Sequence, residues 1–143
     1  MALGKIRYSY IKKLAYEKLK ATSLKIKVMV LSRNAVGDCS LNGYKIRYTD
    51  LMSLYIEYKD IFRQRIYQFH SEINSPYIID GGGCIGMSVL YFKSIYPEAR
   101  IICFEPDLEI FKILQHNLTT NNVNDVTLIN AGLAKEEGIL SFS

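Results

Sequence analysis

The sequence lacks tryptophan altogether and holds only three cysteines, three prolines and two histidines in 143 residues. Cys39, Cys84 and Cys103 are odd in number and widely spaced, which builds neither a disulfide framework nor a zinc site. A reducing compartment is implied, so the expected location is cytoplasmic. There is also no H-x-x-x-H, no C-x-x-C and no paired-carboxylate array, and no metal is expected. No apolar run approaches the roughly 18 residues of a membrane span, and Val28 to Leu31 is too short for a secretory core. The expectation is a chain without a membrane span. Internal repeats and low-complexity segments are absent as well.

What is present is ordinary globular composition, 49% hydrophobic and 22% charged, at a length that suits one domain rather than a disordered tail. The formal charge of +4 is uneven: residues 1–27 carry eight Lys/Arg against Glu17 alone, whereas the remainder carries ten basic and thirteen acidic residues. A basic arm of this kind can attract nucleic acid or an anionic surface. "YIKKLAYEKLK" also reads as an amphipathic helix, with Ile11, Leu14 and Ala15 inward and Lys12, Lys13 and Lys20 solvated. The solvated face is the preferred reading, and nucleic acid is not the expected partner.

Hydrophobic period divides the rest of the chain. "LKIKVMVL" alternates as a strand does, through Leu24, Ile26, Val28 and Val30, and "YKIRY" alternates after Asn42-Gly43, which predicts a hairpin centred on that pair. In "IEYKDIFRQRIYQF", Tyr58, Ile61, Phe62, Arg65, Ile66 and Phe69 recur at helical spacing, predicting a helix that ends near His70. A strand at Tyr77–Ile79, a helix from Ile85 to Tyr96 before Pro97, a strand at Arg100–Phe104, a helix capped by Asp107 and a strand at Val126–Ile129 follow. This βαβαβ order predicts an α/β fold with a parallel sheet, and Ile139 to Phe142 reads as one further strand. The expected domains are a basic arm at 1–23, a hairpin and helix at 24–75 and a cofactor-binding part at 76–143.

The first strand-to-helix turn, "YIIDGGGCIG", lies where such sheets bind ligands. Gly81, Gly83 and Gly86 satisfy G-x-G-x-x-G, and Glu105 follows nineteen residues after Gly86, close to the dinucleotide fingerprint. Asp80, Gly82 and Gly86 equally satisfy D-x-G-x-x-x-G, the first motif of class I methyltransferases that use S-adenosylmethionine. Asp80 separates the two readings. Its carboxylate would repel a pyrophosphate, yet would favour the sulfonium and ammonium of the methyl donor. A nicotinamide-dependent oxidoreductase and a non-catalytic module with a nucleic-acid-binding arm stay open as alternatives.

From about Gly43 onward, some 100 residues, the chain resembles the FkbM family of S-adenosylmethionine-dependent methyltransferases. The likeness is carried by "YIIDGGGCIGMSVLYF", "IICFEPD", "NNVNDVTLINAGL", "EEGILSF" and the upstream "DIFRQRIY". It implies a Rossmann-like class I methyltransferase fold, with S-adenosyl-L-methionine held by Asp80, Gly81, Gly82 and Gly86 at the methionine side. Glu105 would be the ribose acid, and Pro106, Asn130 and Ala131 would lie beside adenine. The implied reaction is O-methylation of a glycan or natural-product hydroxyl, with a small-molecule or glycan acceptor. The family commonly has D-x-G-A-N-x-G where this chain has Gly83 and Cys84, and a later D-V-E-G motif has no counterpart here, so the chain reads as the cofactor-binding half of such an enzyme. No catalytic base emerges: His70 and His116 read as surface or capping residues, Glu136-Glu137 as a solvated turn and Cys84 as a packing residue, while Glu57, on the upstream helix, has two readings, one reaching the cofactor's methionine end and the preferred one a solvated helical glutamate.

Overall fold

The computed structural model describes residue 22, residues 36–136 and residue 138. The basic arm and the strands expected at Leu24–Val30 and Ile139–Phe142 lie outside the described residues. The chain forms two compact units, Met1–Tyr55 and Ile56–Ser143.

In the first unit, β1 (Gly37–Leu41) pairs antiparallel with β2 (Tyr44–Tyr48). Asn42 and Gly43 both take positive φ, 50° and 86°, the backbone that a two-residue hairpin turn requires and that this residue pair adopts at least cost. The hairpin centre is therefore as expected from the sequence. Asp38 and Arg47 face each other across the strands and form an exposed ion pair at 3.0 Å. Helix α1 (Leu51–Glu57) then starts on Asp50, whose carboxylate accepts from the Met52 N–H and the Ser53 hydroxyl, both at 2.8 Å.

A π-helical segment, Tyr58–Arg63, continues α1 and ends the helix seven residues before His70. The wide turn is closed by Gln64 donating to the Lys59 carbonyl and Ile66 to the Asp60 carbonyl, after which Arg65 enters the left-handed region at φ 57°. Helical spacing in the sequence thus overran the helix. The apolar residues beyond it serve another purpose: Tyr67 stacks on Phe92, and Phe69 lies against Phe92 and Tyr96, as a loop laid on the next helix.

The second unit carries a parallel sheet of order β3-β4-β5, formed by β3 (Tyr77–Asp80), β4 (Arg100–Phe104) and β5 (Val126–Ile129). Helix α2 (Met87–Ile95) and helix α3 (Leu108–Thr120) are the crossovers. Ile78, Ile101 and Cys103 on one sheet face meet a core completed by Val89, Leu90, Phe111, Leu114 and Leu118, all buried. Each large aliphatic side chain so buried contributes about 2 kcal/mol. On the alternate positions of β3, Tyr77 and Ile79 are exposed. Asp107 caps α3 by accepting from the Glu109 and Ile110 N–H groups, as its position predicts. β4 and β5 have the ends that the sequence predicts, β3 extends one residue further to Asp80, and α2 begins at Met87 because Ile85 and Gly86 still belong to the turn. Among the described residues no helix is long and apolar enough to cross a membrane.

Candidate functional site

The site is built at the carboxyl ends of β3 and β4, where the chain must leave the sheet and turn into a helix. The two halves of the glycine run face opposite ways. Gly83 and Gly86 are buried: a Cβ on Gly83 would stand 2.2 Å from the Cys103 sulfur, and one on Gly86 would stand 2.9 Å from Leu114, with φ at 96°. Glycine is needed at both for packing, and at Gly86 for its left-handed backbone too. Gly81 and Gly82 are exposed, and a Cβ on Gly82 would meet nothing within 4 Å. At Gly82 the backbone is open to approach.

Three of the turn's N–H groups are already engaged by the protein. Gly83 donates to the Phe104 carbonyl at 2.8 Å, Gly86 to the Gly83 carbonyl at 2.7 Å and Cys84 to Glu105 Oε2 at 2.9 Å. A pyrophosphate needs such donors free. The second glycine of a dinucleotide fingerprint must also face the ligand, whereas Gly83 faces the core.

Three carboxylates surround this turn. Glu105, buried at the end of β4, accepts from the Cys84 N–H through Oε2 and from the Asp107 N–H through Oε1, tying the glycine turn to the cap of α3. Asp80 accepts from the Ser88 hydroxyl at 2.5 Å and from the Cys103 thiol at 3.7 Å. Glu57 reaches the turn from the end of α1, its Oε1 accepting from the Cys84 thiol at 3.1 Å. Glu57 is thus not the solvated helical glutamate that the sequence suggested; the residue order could not show that its side chain turns inward. Burial raises its pKa above the ordinary carboxylate value, the bond from Cys84 works against that, and the Glu105 charge adds to it.

Cys84 sits in the left-handed region at φ 45°, a conformation that asparagine tolerates better than cysteine. Burial and the Glu57 charge push its thiol up to about 12, and burial with the Asp80 charge raises Cys103 as well. Both stay protonated at neutral pH. Neither has the thiolate character of a nucleophile, in keeping with the packing role that the sequence suggested for Cys84.

Asn130 donates to the carbonyls of Glu105 (2.8 Å) and Pro106 (3.2 Å), so the loop after β5 is fastened along the loop after β4. Ala131 N–H donates back to Ile129, and a Cβ on Gly132 would touch Pro106 at 3.5 Å. The exposed Leu133 then reaches Gly81, where a Cβ would meet its side chain at 3.1 Å. Asp80, Gly81, Glu105, Pro106, Asn130 and Ala131 are therefore gathered at one end of the sheet, with Gly82 open and Gly86 beneath. Leu133 and the fully buried Asn117, whose Nδ2 donates to the Ile85 carbonyl at 2.8 Å, were missed in the sequence because one lies in a loop and the other in a polar run. His116 contacts Thr120 along α3, and His70 is exposed. Among the described residues no group of His, Cys, Asp and Glu could hold a metal ion.

No protein-family model matches the sequence. The chain is 33% identical over 109 residues to "Methyltransferase 1" of Beauveria bassiana (strain ARSEF 2860), covering 69% of this chain and 44% of that protein. It is 36% identical over 84 residues to "Methyltransferase sdnD" of Sordaria araneosa, covering 58% and 32%. The chain therefore spans less than half the length of these curated relatives. Among solved structures, it resembles M. jannaschii TYW2 in complex with AdoMet, with a TM-score of 0.55 and 16% identity over 71% of this chain and 46% of that one. P. horikoshii TYW2 in complex with MeSAdo gives 0.52 and 21% identity over 72% and 38%. The α/β architecture expected from the sequence is thus the Rossmann-like fold of S-adenosylmethionine-dependent methyltransferase structures.

Proposed function

We propose that the chain is the cofactor-binding part of an S-adenosylmethionine-dependent methyltransferase. The observation that carries this reading is the charge of the turn. Asp80, Glu57 and Glu105 converge on it, no lysine or arginine among the described residues is paired with any of them, and the turn's amides at 83, 84 and 86 are spent inside the protein. Such a site suits a cationic ligand and opposes a phosphorylated one. Both curated relatives carry the name methyltransferase, and both TYW2 structures hold a methyl donor or its relative.

S-adenosylmethionine, when bound, supplies a sulfonium methyl open to displacement. The chain's own part is to bind and orient. Asp80 would face the positive methionine side, beside Gly81 and Gly82, whose lack of a side chain leaves the backbone approachable. Glu105 retains acceptor capacity beyond the two amides it serves, since a carboxylate has about four lone-pair sites, and those are what a ribose diol would use. Pro106, Asn130 and Ala131 would flank the base, with Gly86 setting the turn from below. The motif resemblance to the FkbM family supports an acceptor hydroxyl on a glycan or natural product, which a base must deprotonate as it attacks in line.

Thermal unfolding of the 143-residue chain with excess S-adenosylhomocysteine or NAD tests the reading. A ligand at 100 times its dissociation constant adds about 2.7 kcal/mol of stability. A midpoint raised by S-adenosylhomocysteine alone is the expected outcome; a rise with NAD alone would overturn it.

A further inference from the structure

We infer that Glu57 forms the subsite for the α-ammonium of the donor's amino-acid arm, an inference that rests on the methyl-donor reading above and deepens it. Glu57 ends α1 where the helix widens into its π-helical segment, and its carboxylate meets the glycine turn twenty-seven residues later in the chain at the Cys84 thiol. The backbone N–H of the same Cys84 is held by Glu105. One residue of the turn therefore separates two carboxylates.

The two acids are satisfied unequally. Each Glu105 oxygen accepts a backbone amide, whereas Glu57 accepts only a thiol, a weak donor, and its Oε2 accepts nothing among the described residues. Glu57 is only partly buried, and its Oε2, with neither a cation nor a strong donor beside it, is open to the donor of a ligand. A structural partner for a thiol need not be charged, since a glutamine carbonyl would accept that bond as well. The charge at Glu57 is accounted for by a ligand that brings a cation with several donors, and a primary ammonium offers three. Burial raises the pKa of Glu57 in the free chain, and an ammonium beside it would draw that value back down.

Glu57→Gln separates the two roles, because it keeps the shape and the acceptor for Cys84 while removing the charge. Binding is measured calorimetrically with two probes: S-adenosylhomocysteine, which carries the ammonium, and methylthioadenosine, which lacks the whole aminoacyl arm. E57Q should bind S-adenosylhomocysteine about tenfold more weakly and methylthioadenosine within about twofold of the wild-type chain. The wild-type chain should also bind the deaminated analogue of S-adenosylhomocysteine about tenfold more weakly than the parent, a penalty that vanishes in E57Q. Unchanged S-adenosylhomocysteine binding by E57Q, or an equal loss for both probes, would overturn the subsite and leave the methyl-donor reading standing. A wild-type chain that binds neither probe would overturn that reading and the subsite with it.

Discussion

Three of the four glycines of one short turn divide into two kinds. Gly83 and Gly86 are glycine because protein atoms occupy the space a side chain would need, while Gly82 is glycine although nothing in the protein crowds it. The difference teaches how to sort a glycine motif: the first kind reports packing and the second reports what the turn is open to. A pattern such as G-x-G-x-x-G mixes both. Here two of its three members, Gly83 and Gly86, belong to the core.

That contrast can be broken most forcefully at Gly83. Gly83→Ala places a methyl into the Cys103 sulfur and should cost about 3 kcal/mol, read as a lowered denaturation midpoint at unchanged slope. Adding Cys103→Ala should return part of that loss, a coupling that a double-mutant cycle measures directly. Gly86→Ala meets Leu114 and forces alanine into a left-handed backbone, for about 2 kcal/mol by the same assay.

A third variant extends the comparison from glycines to carboxylates. With its folded-state pKa raised, Glu57 contributes stability that is full below its unfolded value, about 4.3, and is lost as pH rises through the folded value. Ligand-free Glu57→Gln should therefore unfold at a higher temperature than the wild-type chain at neutral pH, and the gap should close as the pH falls toward 4 (roughly the unfolded value). A gain in stability joined to weaker S-adenosylhomocysteine binding is the trade expected of a binding residue. The smallest effect on stability belongs to Gly82→Ala, within about 0.5 kcal/mol, although its methyl stands in the open side of the turn and should weaken S-adenosylhomocysteine binding. Comparable stability loss at Gly82 and Gly83 would erase the distinction.

Much of the second unit was legible in the sequence. Arg100–Phe104 and Val126–Ile129 are short apolar runs with turn residues on both sides, and Asp107 announces its helix because a capping carboxylate acts within three residues of itself. Local chemistry of this kind shows in residue order. The end of the helix after Glu57 did not, because a π-helical turn and a left-handed Arg65 leave the apolar spacing unaltered while changing where it points. Glu57 reads as solvated in the sequence, and Asn117 is passed over, for a related reason. Each acts on the glycine turn from more than twenty-five residues away, and each is a polar residue whose neighbours in sequence give it an ordinary solvated reading.

Cys103 has no exposed surface and lies directly beneath Gly83. A thiol reagent can reach it only after the packing over it has opened, so the rate at which its peptide is alkylated keeps time for that opening. A ligand bound over Gly82 would slow this clock in proportion to the fraction of chains it occupies, whatever chemistry it undergoes there. The sulfur under the turn is thus a built-in reporter of occupancy, readable by mass spectrometry without an acceptor or a methyl-transfer assay.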